Sequence, residues 1–206
     1  MLKNVRKEER YISLGDSYTI GESISPSESY PVLLTNHLKS SGINITLIAN
    51  PSISGFTTQN LIDHELPILT SLNPSFVTLL IGANDFFQGV DQNTFKNNLE
   101  IILDKVQEKL PKKNNIILIT IPDFSVTPYG KSLGNTQKLS SGIADFNSII
   151  KKEGEKSHLK VVDIYPLTQK MENDPSLVAD DLHPSEKEYA LWEKMIYKVA
   201  YELLAK

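Results

Sequence analysis

Ser17, Gly55, Asn84, Asp180 and His183 are the residues whose types and spacing could do chemistry together. Acyl transfer needs a nucleophile, a base, a group that orients the base, and donors for the oxyanion. Ser17 offers the hydroxyl. His183 is the natural base, because imidazole titrates near working pH. Asp180 lies three residues before His183, so one loop can carry both and the carboxylate can reach Nδ1 and fix the tautomer. The Ser17 N–H, the Gly55 N–H and the Asn84 amide are the donors that could point at one oxygen.

These residues need a frame that brings distant stretches together, and the apolar patterning supplies one. Tyr11–Leu14, Asn44–Ala49, Ser75–Ile81, Asn115–Ile121 and Leu159–Ile164 read as strands, and Ser75–Ile81 is apolar on both faces, as a central parallel strand should be. Between them lie helical patterns: Tyr30 to Leu38, starting near Pro31; Thr57 to Leu69, with a bend expected at Pro67; Asp91 to Leu110, capped by Asp91; and Asn135 to Glu155. A last helix starts at Ser185, where Ser185 and Glu188 match a capping box. Pro122 to Gly134 is the one long irregular stretch. Alternating strands and helices predict an α/β fold, a three-layer α/β/α sandwich on a five-stranded parallel sheet of flavodoxin-like type. In such a sheet all strand C-termini share one edge, where ligands bind. Gly15-Asp16-Ser17, Asn50 to Gly55, Gly82-Ala83-Asn84-Asp85 and Pro122-Asp123 each follow a strand, and Asp180 to Pro184 follows the last one after a connection.

Bulk properties narrow the partners. The chain has 206 residues, which suits one domain over 1–206, with Met1 to Glu9 read as a flexible lead. A formal net charge of -4 argues against nucleic acid. The absence of cysteine excludes a disulfide framework, a thiolate zinc site and a cysteine nucleophile. The four histidines are scattered, with no H-x-x-x-H pair, and phosphate-loop and dinucleotide fingerprints are absent, so no metal or cofactor is expected. His37 and His64 fall within helical patterns, and His158 in a charged connection. No apolar run approaches a membrane span, and the charged first ten residues hold no signal-peptide core. A cytoplasmic protein acting on a small-molecule acyl ester is the expectation, or a secreted one if a leader has been removed.

The same residues resemble the GDSL-type, or SGNH, hydrolases, a superfamily of serine esterases and lipases named for serine, glycine, asparagine and histidine in four blocks. The blocks look like Gly15-Asp16-Ser17-Tyr18, Ser54-Gly55-Phe56-Thr57-Thr58, Gly82-Ala83-Asn84-Asp85 and Asp180-Asp181-Leu182-His183-Pro184, in family order from Tyr11 to the C-terminus. The resemblance implies Ser17 as nucleophile, His183 as base, Asp180 as third triad member, and the Ser17 backbone, Gly55 and Asn84 as the oxyanion hole. Family spacing, D-x-x-H, selects Asp180 over Asp181. Tyr18 stands where the family often has leucine.

Three further readings belong beside this one. Rim residues Tyr18, Asp85, Phe86, Phe87, Asp123, Phe124 and Tyr129 are candidates for substrate contact, although Asp123 fits a helix cap better and the aromatics fit loop packing equally well. Gly130-Lys131-Ser132-Leu133-Gly134 matches G-x-S-x-G, the nucleophile elbow of α/β-hydrolases, but no strand pattern precedes Ser132 as an elbow requires. From another class, a non-catalytic module could bind a small ligand such as a flavin or phosphate at the same rim.

Overall fold

A computed structural model describes residues 8–205. In chain order the strands and α-helices are β1 (Glu9–Gly15), α1 (Ser17–Ile20), α2 (Tyr30–Ser40), β2 (Ile45–Ala49), α3 (Thr58–Asn60), α4 (Leu66–Leu72), β3 (Phe76–Leu80), α5 (Ala83–Phe87), α6 (Gln92–Lys109), β4 (Ile116–Ile119), α7 (Pro128–Ser132), α8 (Thr136–Lys156), β5 (Lys160–Val162), α9 (Tyr165–Thr168) and α10 (Glu186–Leu204). The strands form one parallel sheet in the order β2-β1-β3-β4-β5. Helices α2 and α10 pack together on one face, and α4, α6 and α8 associate on the other. The chain leaves β1 toward one edge and resumes at β3 on β1's other side. That reversal opens a crevice at the C-terminal ends of β1 and β3, the place where open α/β sheets bind ligands.

The apolar runs become strands because both faces are covered: β3 is buried along its length, and β4 likewise. Polar residues inside the sheet satisfy one another, with Tyr11 Oη 2.7 Å from Thr78 Oγ1 and Ser13 Oγ 3.0 Å from Tyr30 Oη. The expected helices form, with the expected cap at Asp91, whose side chain accepts from the Asn93 and Thr94 N–H groups; α8 is capped by Asn135, whose side chain accepts from the Lys138 N–H.

Four sequence expectations are corrected. Glu9 is not part of a flexible lead: its N–H donates to the Asn44 carbonyl at 2.7 Å and it opens β1, while residues 1–7 of that lead lie outside the described residues. The helix through Pro67 is not a uniform α-helix. Leu61–Glu65 has π geometry between α3 and α4, where Pro67 brings no N–H to the ladder and its ring crowds the carbonyl four residues back. The capping box is half made: Ser185 Oγ accepts from the Glu188 N–H, but the buried Glu188 side chain accepts from Trp192 Nε1 at 2.8 Å instead of reaching back. Pro122 to Gly134 is not irregular throughout; it holds a 3-10 turn, Phe124–Val126, and α7.

Candidate active site

The Gly15-Asp16-Ser17 block is built on close packing. Gly15 ends β1, and a Cβ there would lie 2.2 Å from both the Leu80 carbonyl and Thr19 Oγ1, so only glycine lets the chain turn directly over β3. Asp16 caps α1, accepting from the Tyr18 N–H at 3.0 Å. Ser17 then opens the helix at 7% exposure. At the end of β3, Gly82 has φ +119° and a Cβ would meet the Phe95 ring at 2.7 Å. This turn places Asn84 opposite Asp16.

Asn84 Nδ2 donates to the Phe56 carbonyl at 3.0 Å and, at 3.3 Å, to Asp16 Oδ2. The first bond draws the Ser54–Thr58 block to Asn84 and orients the amide. The second is long enough for that hydrogen to be taken over by an incoming oxyanion. Among the described residues, neither the Ser17 N–H nor the Gly55 N–H has a hydrogen-bond partner. Gly55 is exposed, and its carbonyl accepts from Gln88 Nε2 at 3.4 Å.

Carboxyls beneath this half are raised by burial. Asp16, fully buried, is pushed up to about 7 by desolvation, with nearby Asp85 adding to the rise. Glu65, fully buried, is pushed up to about 8 by desolvation; its Oε2 accepts from the Gly15 N–H at 3.1 Å and its Oε1 has no partner. Asp85 is raised by burial against the opposing bonds from the Thr58 N–H, at 2.8 Å, and Thr58 Oγ1, at 2.5 Å.

The Asp180–His183 block is a pinched loop before α10. A bridge between Val178 and Pro184, with the Ala179 N–H donating to the His183 carbonyl at 2.8 Å, closes it. Within it Asp180 Oδ1 accepts from the Leu182 N–H at 2.7 Å and the His183 N–H at 2.6 Å, and Oδ2 lies 2.9 Å from His183 Nδ1. Ser23 Oγ also donates to Oδ2. Desolvation works against ionisation of Asp180, but these bonds outweigh it and hold the carboxyl well below its ordinary range. An ionised carboxylate only accepts, so Nδ1 carries the proton and Nε2 is left as the acceptor. Asp181 is exposed and points its backbone elsewhere, accepting from the Tyr129 N–H at 2.8 Å.

The fold thus brings Ser17 and Asn84 to one cavity and Asp180 and His183 to its edge, where the Tyr18 and His183 rings are 5.7 Å apart. No hydrogen bond joins Ser17 Oγ to Nε2 among the described residues; Nε2 has Glu22 Oε2 at 3.9 Å. Such bonds often tighten only when substrate arrives. The cavity has a volume of about 130 Å³ and is lined by Ser17, Tyr18, Ala83, Asn84, Phe87, Phe124, Tyr129 and Leu182. A larger open groove of about 890 Å³ beside α8 shares no lining residue with it.

Of the substrate-contact candidates, Tyr18, Phe87, Phe124 and Tyr129 line the cavity. Phe86 does not; its ring packs on Phe124 and Phe146. Asp85 is 1% exposed and bound to Thr58, and Asp123 is 0% exposed with its carboxylate taken by Ser125, Ser140 and Gln169. Both carboxylates are therefore turned inward, away from the cavity. Ser132 ends α7, exposed, with Oγ donating to the Tyr129 carbonyl at 2.7 Å and no strand before it, so the elbow reading fails on geometry. His37 pairs with Glu193 at 2.9 Å and stacks on Tyr197, and His158 is exposed at φ 57°. The described residues hold no group of three or more metal-ligating side chains. Sequence reasoning missed Glu22, Ser23 and Glu65. The signal for the first two was Gly21, a left-handed C-cap four residues after Ser17 that turns the chain back toward the site.

A model of the GDSL-like lipase/acylhydrolase family matches residues 13–191. The chain belongs to this family. Within the GDSL-like hydrolases it is similar to an arylesterase of Vibrio mimicus, at 32% identity over 60% of this chain and 58% of that protein. It is also similar to thioesterase 1/protease 1/lysophospholipase L1 of Escherichia coli K12, at 32% identity over 46% of this chain and 43% of that protein. The matched stretch therefore spans about half the length of these curated relatives. The solved structure of TesA superposes over 95% of this chain and 99% of its own, with a TM-score of 0.76 at 20% identity, which shows the shared fold. No helix among the described residues is long and apolar enough to cross a membrane.

Proposed function

We propose that this GDSL-like protein is a serine esterase that hydrolyses small carboxylic esters through an acyl-enzyme on Ser17. The observation that carries the reading is the Asp180–His183 pair, Oδ2 to Nδ1 at 2.9 Å, held at the rim of the cavity that Ser17 and Asn84 line. It leaves Nε2 as a proton acceptor at the rim of the cavity that holds the Ser17 hydroxyl, and the Ser17 N–H has no partner among the described residues. Ser17 Oγ attacks the ester carbonyl while Nε2 takes its proton. The oxyanion is held by the Ser17 and Gly55 N–H groups and the Asn84 hydrogen now shared with Asp16. The proton on Nε2 passes to the leaving oxygen, and water repeats the sequence to release the acid. The relatives named as arylesterase and thioesterase support an ester or thioester as substrate.

The acyl group is short. The cavity beside Ser17, about 130 Å³, suits a short acyl group such as acetyl to butyryl. The Phe87 and Tyr129 rings, with centroids 6.1 Å apart, border it. The test is turnover of p-nitrophenyl acetate, butyrate and palmitate together with fluorophosphonate labelling. Acetate and butyrate are expected to react, palmitate is not, and a single label is expected on Ser17. Ser17→Ala should lose at least ~10³-fold in kcat, while Ser132→Ala keeps activity. Retained turnover in Ser17→Ala would overturn the reading in favour of a non-catalytic ligand-binding module or another nucleophile.

A further inference from the structure

The cavity beside Ser17 accounts for one side of an ester only. The other side, where the alcohol departs, is marked by His183 Nε2, because the leaving oxygen must come within ~3 Å of the proton it receives. Glu22 lies there. Its Oε2 is 3.9 Å from Nε2, its side chain is 40% exposed, and Ser54 Oγ donates to the same carboxylate oxygen. Neither Glu22 nor Ser54 lines the acyl cavity. Among the described residues no lysine or arginine pairs with Glu22, and Glu22 Oε1 makes no hydrogen bond.

Resting on the esterase reading above, we propose that Glu22 and Ser54 form the alcohol subsite, and that it takes a neutral alcohol carrying a second hydroxyl next to the reacting one, a glycerol-like or sugar-like diol. The geometry follows from Nε2. A leaving oxygen seated on Nε2 places the hydroxyl of the adjacent carbon within reach of the Glu22 carboxylate, which accepts its hydrogen. Ser54 fixes the carboxylate by donating to it. An aliphatic alcohol without the second hydroxyl forgoes this bond to Glu22, and an anionic alcohol meets it with like charge.

Deacylation uses the same place in reverse. The acceptor oxygen attacks the acyl carbon, a new C–O bond forms, the bond to Ser17 Oγ breaks, and the acceptor's proton passes through Nε2 to Oγ. With water the product is the acid; with a diol it is a new ester. A subsite for the leaving alcohol is therefore equally a subsite for an acceptor alcohol.

Partitioning of the acyl-enzyme tests this directly, because the ratio of transfer to hydrolysis does not depend on how much active enzyme is present. p-Nitrophenyl acetate is the donor, and glycerol or 1-propanol the acceptor, with monoacetylglycerol, propyl acetate and acetate quantified. Glycerol is expected to be preferred over 1-propanol by about tenfold, the weight of one hydrogen bond to a partly exposed carboxylate. Glu22→Ala should reduce that preference at least fivefold, Ser54→Ala by less, and Glu22→Gln should keep part of it. Glycerol 3-phosphate should be a poor acceptor for the native protein and improve with Glu22→Gln. Equal partitioning to the two alcohols in the native protein, or an unchanged preference in Glu22→Ala, would overturn the subsite. Absence of p-nitrophenolate release from the native protein would instead overturn the esterase reading beneath it.

Discussion

The two halves of the site hold their carboxyls by opposite means. The nucleophile half, around Gly15-Asp16-Ser17, is set on the sheet. Asp16, Glu65 and Asp85 are buried there with too few donors, and desolvation raises all three. The base half hangs on a loop at the rim. Asp180, 39% exposed, accepts from two backbone N–H groups, an imidazole and a hydroxyl, and is lowered. The comparison teaches that position in this site comes from packing on one side and from hydrogen-bond count on the other. The packed side keeps Ser17 and Asn84 aligned through glycine-only contacts, and the loop side holds His183 in one tautomer.

Removing one part at a time tests whether the halves differ in this way. His183→Ala takes away the proposed base and is expected to cost about 10⁴-fold in kcat for p-nitrophenyl acetate, with the folded state retained because its side chain packs at the rim. If activity survives, the loop is not the base-bearing half. Asn84→Ala removes one proposed oxyanion donor from the packed half and is expected to lower kcat by ~10²–10³-fold with KM little changed. A change confined to KM would place Asn84 in ground-state binding instead.

The pH dependence of stability should carry opposite signs in the two halves. Glu65, at about 8 in the folded protein against an ordinary 4.5, contributes stability that is complete below its unfolded value and lost as pH rises through about 8. Asp16, raised to about 7, acts in the same direction. Asp180 works the other way, contributing above the ordinary carboxylate range and losing that contribution on strong acidification, weakened by its exposure. Glu65→Gln should therefore flatten the decline between pH 5 and pH 8. At pH 8 the variant is expected to gain about 2 kcal/mol, or roughly 5 °C in Tm by thermal unfolding. An unchanged slope would show that Glu65 is ionised in the fold.

The smallest expected effect is in the loop half. Ser23→Ala removes one of four donors to Asp180 and should cost about fivefold in kcat, with Ser23→Thr restoring much of it. It should also shift the acid limb of the pH–rate profile, which a loss of packing alone would leave in place.

Much of this arrangement was legible from the residues themselves. The strands announced themselves as apolar runs because both faces of the sheet are covered. Asp91 was readable as a cap because capping is local. Asp180 and His183 were readable as a pair because three residues on one loop suffice to join them. What stayed hidden depended on groups distant in sequence. Glu188 matched a capping box by spacing, but the buried Trp192 Nε1 needed an acceptor and took it. Asp85 and Asp123 sit after strands where substrate contacts would be expected, yet Thr58 in one case and Ser125, Ser140 and Gln169 in the other turn them inward.

The sequence by itself determined the chemical parts and their order along the chain: a serine after the first strand, a glycine and an asparagine after the next two, and an aspartate and histidine before the last helix. Its alternation of strand and helix also determined the fold class. Tertiary structure alone decided which parts meet. Because β1 lies between β2 and β3, the turn bearing Ser17 faces the turn bearing Asn84, although 66 intervening residues separate them. The same packing buried Asp16 and Glu65 and set Glu22 and Ser54 beside His183, placements that depend on strand order and on burial, which no local stretch encodes.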